Sequence, residues 1–424
     1  MHSISRCTGT QTSEAIEVVM ASDSRVVILG LCLCSLLLPV ARSQQNPSSS
    51  QERTAIVQPS ETITEKVDAS TRLVLPAATR EQIDHSPVAV LLPSGLAEMG
   101  KFSLDFGDNF YTATFIQAGH SISIIGTKVA YRYPSQKALP GADRAAIKVR
   151  DVTGFASVSE GIWNISWQQH GASYLLSLEC NKPDEAMCRN SDFILSVGNK
   201  LRFVGGGTVP PKPLAAAPAS HYSALLPTGF TYNPPGTLKP NSGTGVPDNT
   251  IYAPGIRFPV QDQPAYANSQ VYNPGGAQGG GGSQCSGSNY SYPWWDDFCE
   301  TRDAQTPMCP SGKGHQGQDI RPSKCLNDTY YVVAAAAGKV TNIGSYSVFI
   351  TASDGTQYRY LHMSSVMVTQ SQALSRGDQI GKVSNVFTAP TTYHLHFEIL
   401  QNVQGHGIVH VPPYASLVEA YKAL

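Results

Sequence analysis

An excess of charge of either sign is missing from this chain. Its 424 residues carry 30 Lys+Arg against 31 Asp+Glu, and only 14% of them are charged. Nothing in that balance calls for nucleic acid or an anionic membrane surface as a partner. Helical periodicity is scarce, while Gly (37) and Pro (29) are plentiful, which suits strands, turns and linkers. The chain also lacks an apolar run of the roughly 20 residues a membrane helix needs. Its longest such stretch, Val26 to Val40, follows Arg25 and precedes Ala41-Arg42-Ser43, the layout of a signal peptide cut before Gln44. Met20 is a candidate true start, because the polar residues 1–19 are an odd prelude to a signal. Cys32 and Cys34 follow leucines, not the small residue expected before a lipidated cysteine. The expectation is an exported protein, periplasmic or secreted, with no stable membrane span after signal cleavage.

Cysteine is sparse as well. Removing the signal leaves Cys180, Cys188, Cys285, Cys299, Cys309 and Cys325, an even number that points to disulfides in an exported chain. Cys180 and Cys188 are expected to pair locally. The other four permit three pairings, and proximity alone favours Cys285–Cys299 and Cys309–Cys325.

At this length two or three domains are expected. Residues 1–43 read as the signal peptide, and the Ser/Gln/Glu/Thr-rich residues 44–65 as disordered. Residues 66–205 carry short strand patterns and turn signals, such as Phe110-Tyr-Thr-Ala-Thr-Phe-Ile and Ser121-Ile-Ser-Ile-Ile, and read as a separate β-rich domain. It is a candidate module for docking a protein partner. Residues 206–284, with Asn-Pro-Pro-Gly and a tetraglycine at 279–282, read as a linker. Residues 285–424 alternate strand patterns with turns such as Asp354-Gly355, with one helix near 415–423. The fold class is mainly β, the C-terminal part an antiparallel sheet.

Three fragments of that last part read as one divided metal site: His315-Gln-Gly-Gln-Asp319, Tyr360-Leu361-His362 and His394-Leu395-His396. On a strand, residues two apart share a face, so His394 and His396 lie side by side, with Glu398 next on that face as an orienting group. A catalytic zinc site needs three protein donors, an open position and a proton-handling group. These residues supply both kinds. His406 and His410, in a Gly/Pro-rich tail, are expected to face solvent.

In that order, with Gly314 before His315 and Phe397-Glu398 after His396, the motifs resemble the lysostaphin/LytM-type zinc metallopeptidases that cut peptidoglycan cross-bridges. Ala336-Ala-Gly338-Lys-Val340 and Gly377-Asp378-Gln-Ile-Gly381 are similar to strand and turn signatures of the same family. The resemblance covers roughly residues 300–410. It implies a C-terminal metallopeptidase domain, Zn2+ as cofactor and a peptidoglycan peptide as substrate. His315, Asp319 and His396 would be the zinc ligands, with His362 and His394 the catalytic pair flanking the attacking water. Some relatives lose the metal ligands and regulate cell-wall amidases without catalysis; the five key positions present here argue against that alternative. The approach to the His-x-His strand, Thr388-Ala-Pro-Thr-Thr-Tyr393, departs from the Gly-rich segment frequent in the family. In latent relatives an upstream asparagine can reach the zinc, and Asn268 is the candidate for it here, against ordinary turn use. Trp294 and Trp295 either line the groove or plug the sheet edge, the second being favoured.

Overall fold

A computed structural model of the chain describes residues 53–134, 146–214, 228–387 and 391–424. The expected signal peptide and residues 388–390 of the approach segment lie outside the described residues. The fold is mainly β, as the turn-rich, charge-poor sequence requires.

The organising element is the strand Leu395–Val403, central in a ten-stranded sheet. Its odd-numbered residues Leu395, Phe397, Ile399 and Val403 enter the main core with Val348, Ile350, Tyr358 and Tyr360. Its even-numbered residues His396, Glu398 and Leu400 therefore occupy the opposite face. Gln318–Arg321 pairs antiparallel along one edge, with Asp319 opposite His396. Gln357–Leu361 pairs along the other, with Arg359 opposite Glu398 and Leu361 opposite His396. Directly opposed residues share a face, so the three sequence fragments meet on one side of one sheet.

A seven-stranded antiparallel sheet between Lys101 and Cys180 has its own core, built on residues such as Tyr111, Ile124, Trp167 and Leu176. Its other face lies over the even-numbered face of the large sheet. Ile125 and Leu175 pack against Leu400 and Ile408, and Ile162 packs against Tyr346, Phe349 and Leu361. Buried polar contacts fix the same interface: Arg359 donates to Asn164 Oδ1 at 3.0 Å and to Ser177 Oγ at 2.8 Å, and Ser347 Oγ donates to Glu179.

Two expectations are corrected. Residues 53–65, expected as disordered, contain the strand Thr54–Val57, which pairs with Val129–Arg132 at the edge of the large sheet. Four short residues rich in β-branching suffice once a partner edge is present. The expected linker is described over residues 206–214 and 228–284, and the second stretch is built into the main core through Phe230, Tyr252, Phe258, Val260 and Ala265. Phe258 is fully buried, 5.4 Å from the ring of Trp294 and 4.8 Å from that of Tyr421. Its aromatic residues lack periodicity, so only tertiary packing reveals them. Trp294 is buried, its Nε1 donating to Ala265 O at 2.9 Å; it plugs the core.

Cys180–Cys188 forms as expected, but the remaining bridges are Cys285–Cys325 and Cys299–Cys309. Cys299 bridges the cysteine nearest to it in sequence, Cys309, at a separation of 10, which leaves Cys285 to reach Cys325 at a separation of 40; Cys299 N donates to His315 O and His315 N to Glu300 O. The C-terminal helix runs Tyr414–Lys422. Among the described residues no helix is long and apolar enough to cross a membrane.

Candidate active site

His315, Asp319, His362, His394 and His396 converge, each no more than 3% exposed. His315 Nε2 lies 3.1 Å from His396 Nδ1, His396 Nδ1 lies 3.0 Å from Asp319 Oδ1, and His315 Nε2 lies 3.6 Å from that oxygen. Four-coordinate zinc with bonds of about 2.0–2.1 Å holds its donors roughly 3.3 Å apart. This triangle of two nitrogens and one carboxylate oxygen fits such an ion.

Local structure explains the aim of each donor. The His315 Nδ1–H donates to Asp297 O at 3.0 Å, which leaves Nε2 unprotonated and turned to the triangle. His396 uses its other nitrogen on Glu398 Oε1 at 3.1 Å, and Glu398 Oε2 accepts from His410 at 3.2 Å. His410 is therefore buried beneath the site, not facing solvent as expected. Gly317 makes the His315–Asp319 turn possible: a Cβ there would sit 2.6 Å from His396 Nε2.

His362 and His394 stand beside the triangle, ring centroids 4.6 Å apart. His394 Nδ1 donates to Thr392 O at 2.8 Å and His362 Nδ1 to Val386 O at 3.2 Å, so both present Nε2 as the free nitrogen. His394 Nε2 is 3.5 Å from Asp319 Oδ1. Ser384 ties the pair together, its N and Oγ both donating to His362 O while His394 N donates to Ser384 O. His362 has φ 62°, a left-handed turn that swings its ring out of the strand before it.

Burial dominates the electrostatics. It pushes His315 down to about 4 and holds His394 and His362 below the ordinary histidine range. Burial opposes ionisation of Asp319, but His315, His394 and His396 overcome it and keep the carboxyl well below its usual range. His396 runs the other way: against burial, its hydrogen bonds to Asp319 and Glu398 raise it to about 10 in the metal-free protein.

Two residues went unread in the sequence. Asp297 orients His315 and accepts from Asp319 N at 3.0 Å. Glu160, from the seven-stranded sheet, places Oε2 3.6 Å from His362 Nε2. Asn268 does not reach the triangle. Its Oδ1 accepts from Arg321 Nε at 3.0 Å and its Nδ2 donates to Asn289 O at 2.9 Å, a framework role.

The HxxxD and HxH fragments, joined on one sheet face by paired register, carry the resemblance. Residues 313–407 match peptidase family M23. No curated protein matches the chain. Among solved structures, similar chains include a protein described as a glycyl-glycine endopeptidase, lytM, from Ruminococcus gnavus. It is 21% identical, covers 40% of this chain and 61% of its own, and has a TM-score of 0.27. Lysostaphin from Staphylococcus simulans is 22% identical over 31% of this chain and 54% of its own, with a TM-score of 0.22. The catalytic domain of the prophage-encoded M23 protein EnpA from Enterococcus faecalis is 22% identical over 30% of this chain and 95% of its own, at 0.21. This chain thus spans 61% and 54% of the length of the first two.

Proposed function

We propose that the protein is an exported zinc-dependent endopeptidase that hydrolyses peptide cross-links of peptidoglycan, acting in the periplasm or outside the cell. The observation that supports it best is the donor triangle of His315 Nε2, Asp319 Oδ1 and His396 Nδ1, at 3.0–3.6 Å. A zinc ion held there would supply Lewis acidity and bring the pKa of a water to about 7.

The protein's own groups then handle protons. His362 and His394, kept neutral by burial, each offer Nε2 as a base. One accepts the proton that the attacking water loses as its oxygen bonds to the peptide carbonyl carbon. The same proton returns to the amine nitrogen when the C–N bond breaks. The other imidazole, its Nδ1–H committed to a backbone carbonyl, steadies the carbonyl oxygen as it gains charge only by taking up a proton at Nε2. Glu398 holds the His396 ring from behind, and Asp297 holds that of His315.

The amidase-regulator alternative gains nothing from the geometry, since all five side chains are in place. The test is release of new amino termini from purified peptidoglycan by the native chain, with and without a chelator. We expect chelator-sensitive release that Asp319→Ala abolishes. No release from the zinc-loaded native chain would overturn the proposal.

A further inference from the structure

We propose that Arg321 anchors a free carboxylate of the substrate beside the scissile bond, so that the preferred cross-link is an acidic one and not a run of neutral residues such as glycine. This rests on the peptidoglycan reading above and deepens it. Arg321 is fully buried, yet its Nη1 and Nη2 have no hydrogen-bond partner among the described residues. The carboxylate that acts on it most, Asp319, is turned to His315, His394 and His396 instead. A buried cation without a partner destabilises a fold strongly, so this one calls for an anion from outside.

The strand register puts the guanidinium at the reacting groups. Asp319 lies opposite His396 and Ile320 opposite Leu395, so the next step along the pair places Arg321 opposite His394. Two residues past Asp319, it also shares the face of the sheet that carries the donor triangle. Its charge adds to burial and to His362 in holding His394 below the ordinary histidine range. Neighbouring residues of an extended peptide are about 3.5 Å apart. A scissile carbonyl held between His362 and His394 therefore brings the adjoining residue within reach of Arg321.

The fork is held in place. Arg321 Nε donates to Asn268 Oδ1 at 3.0 Å. Asn268 is fixed in turn by Asn273 Nδ2, which donates to the same oxygen at 2.9 Å, and by its own donation to Asn289 O. With Nε committed to this frame, the two terminal nitrogens remain as the planar edge that matches a carboxylate. The Tyr290 hydroxyl, also buried without a partner, lies beside the guanidinium as a third donor. Tyr290 itself is part-exposed, so the cluster lies one side chain below the surface.

The experiment measures binding by calorimetry to the full chain stripped of metal, so that neither zinc nor turnover enters. The probes are a dimeric muropeptide with a free carboxylate beside its cross-link and the same dimer with that carboxylate amidated. The native chain is expected to bind the free acid about 100-fold more tightly. Arg321→Gln should bind both forms equally, and Arg321→Lys, which keeps the charge without the fork, should retain a preference of about tenfold. Asn268→Asp sets a permanent carboxylate against the guanidinium and should erase the preference with Arg321 still present. Asn268→Ala lets the fork turn and should reduce the preference, whereas a loss of packing alone would weaken both probes together. Equal binding of the two dimers by the native chain would overturn the anchor, whatever the variants do, and so would a preference that survives in Arg321→Gln. A preference without peptide release from the zinc-loaded chain defeats the peptidase reading alone; release without a preference defeats the anchor alone.

Discussion

His396 is the residue on which the site turns, and its surroundings were half legible. That a histidine two residues from another shares its face follows from strand geometry, and Glu398 beyond it follows by the same rule. What the sequence could not show is that both its nitrogens meet carboxylates, so that it carries a proton in the metal-free protein, with a pKa raised to about 10. Below that value a metal must expel the proton, whereas His315, at about 4, has none to lose near neutrality. Zinc affinity should therefore fall about tenfold per unit as pH drops through the neutral range, one proton being released per metal bound. Calorimetry in buffers of differing ionisation enthalpy counts that proton; a count near zero contradicts the account. Glu398→Gln removes the charge behind the ring and should weaken zinc by about 10–100-fold, read by chelator competition.

A second residue-scale prediction concerns Glu300, fully buried and raised to about 8 by burial, against the pull of Arg302 and Ser269. A carboxyl whose folded value lies above its unfolded one binds more protons when folded. Stability is therefore lost as pH rises from about 4.3 towards that folded value. Glu300→Gln should remove the loss and raise the melting temperature near pH 8 by about 2–4 °C. An unchanged difference between pH 5 and pH 8 in the variant would contradict it.

Elements were legible where period and turn chemistry agreed, and obscure where burial came from far along the chain. The strand Leu395–Val403 announced itself, because its two faces differ in chemistry: aromatic and aliphatic on one, titratable on the other. Phe397 on the apolar face is fully buried against Tyr358 and Tyr360. Phe397→Ala should cost about 3–5 kcal/mol in urea denaturation. By contrast, Phe230, Tyr252 and Phe258 stand among prolines and glycines with no period, and composition made a linker of what is core. The disulfides failed for a related reason. Cys299 takes its nearest neighbour, Cys309, and it is the Cys285–Cys325 bridge, at a sequence separation of 40, that only the fold sets.

At the scale of the whole molecule, two β-rich stretches were expected from the sequence, but nothing in it hinted that a sheet of the first lies on the His396 face of the large sheet. The contacts that do this, Leu175 with Leu400 and Arg359 with Asn164 and Ser177, join residues about two hundred positions apart. Leu175→Asp would bury an unpaired charge between the sheets and should part them. Histidine modification by diethyl pyrocarbonate, mapped by mass spectrometry, should then reach His362 and His394, which are shielded in the native chain. A folded variant with protection unchanged would contradict that arrangement.

The most direct test of the central claim is metal content by equilibrium dialysis against zinc. The account predicts one tightly held zinc per native chain, and its loss in His396→Ala and in Asp319→Ala proteins whose circular dichroism is native. A native chain that binds no zinc, or variants that keep it at full stoichiometry, would contradict it.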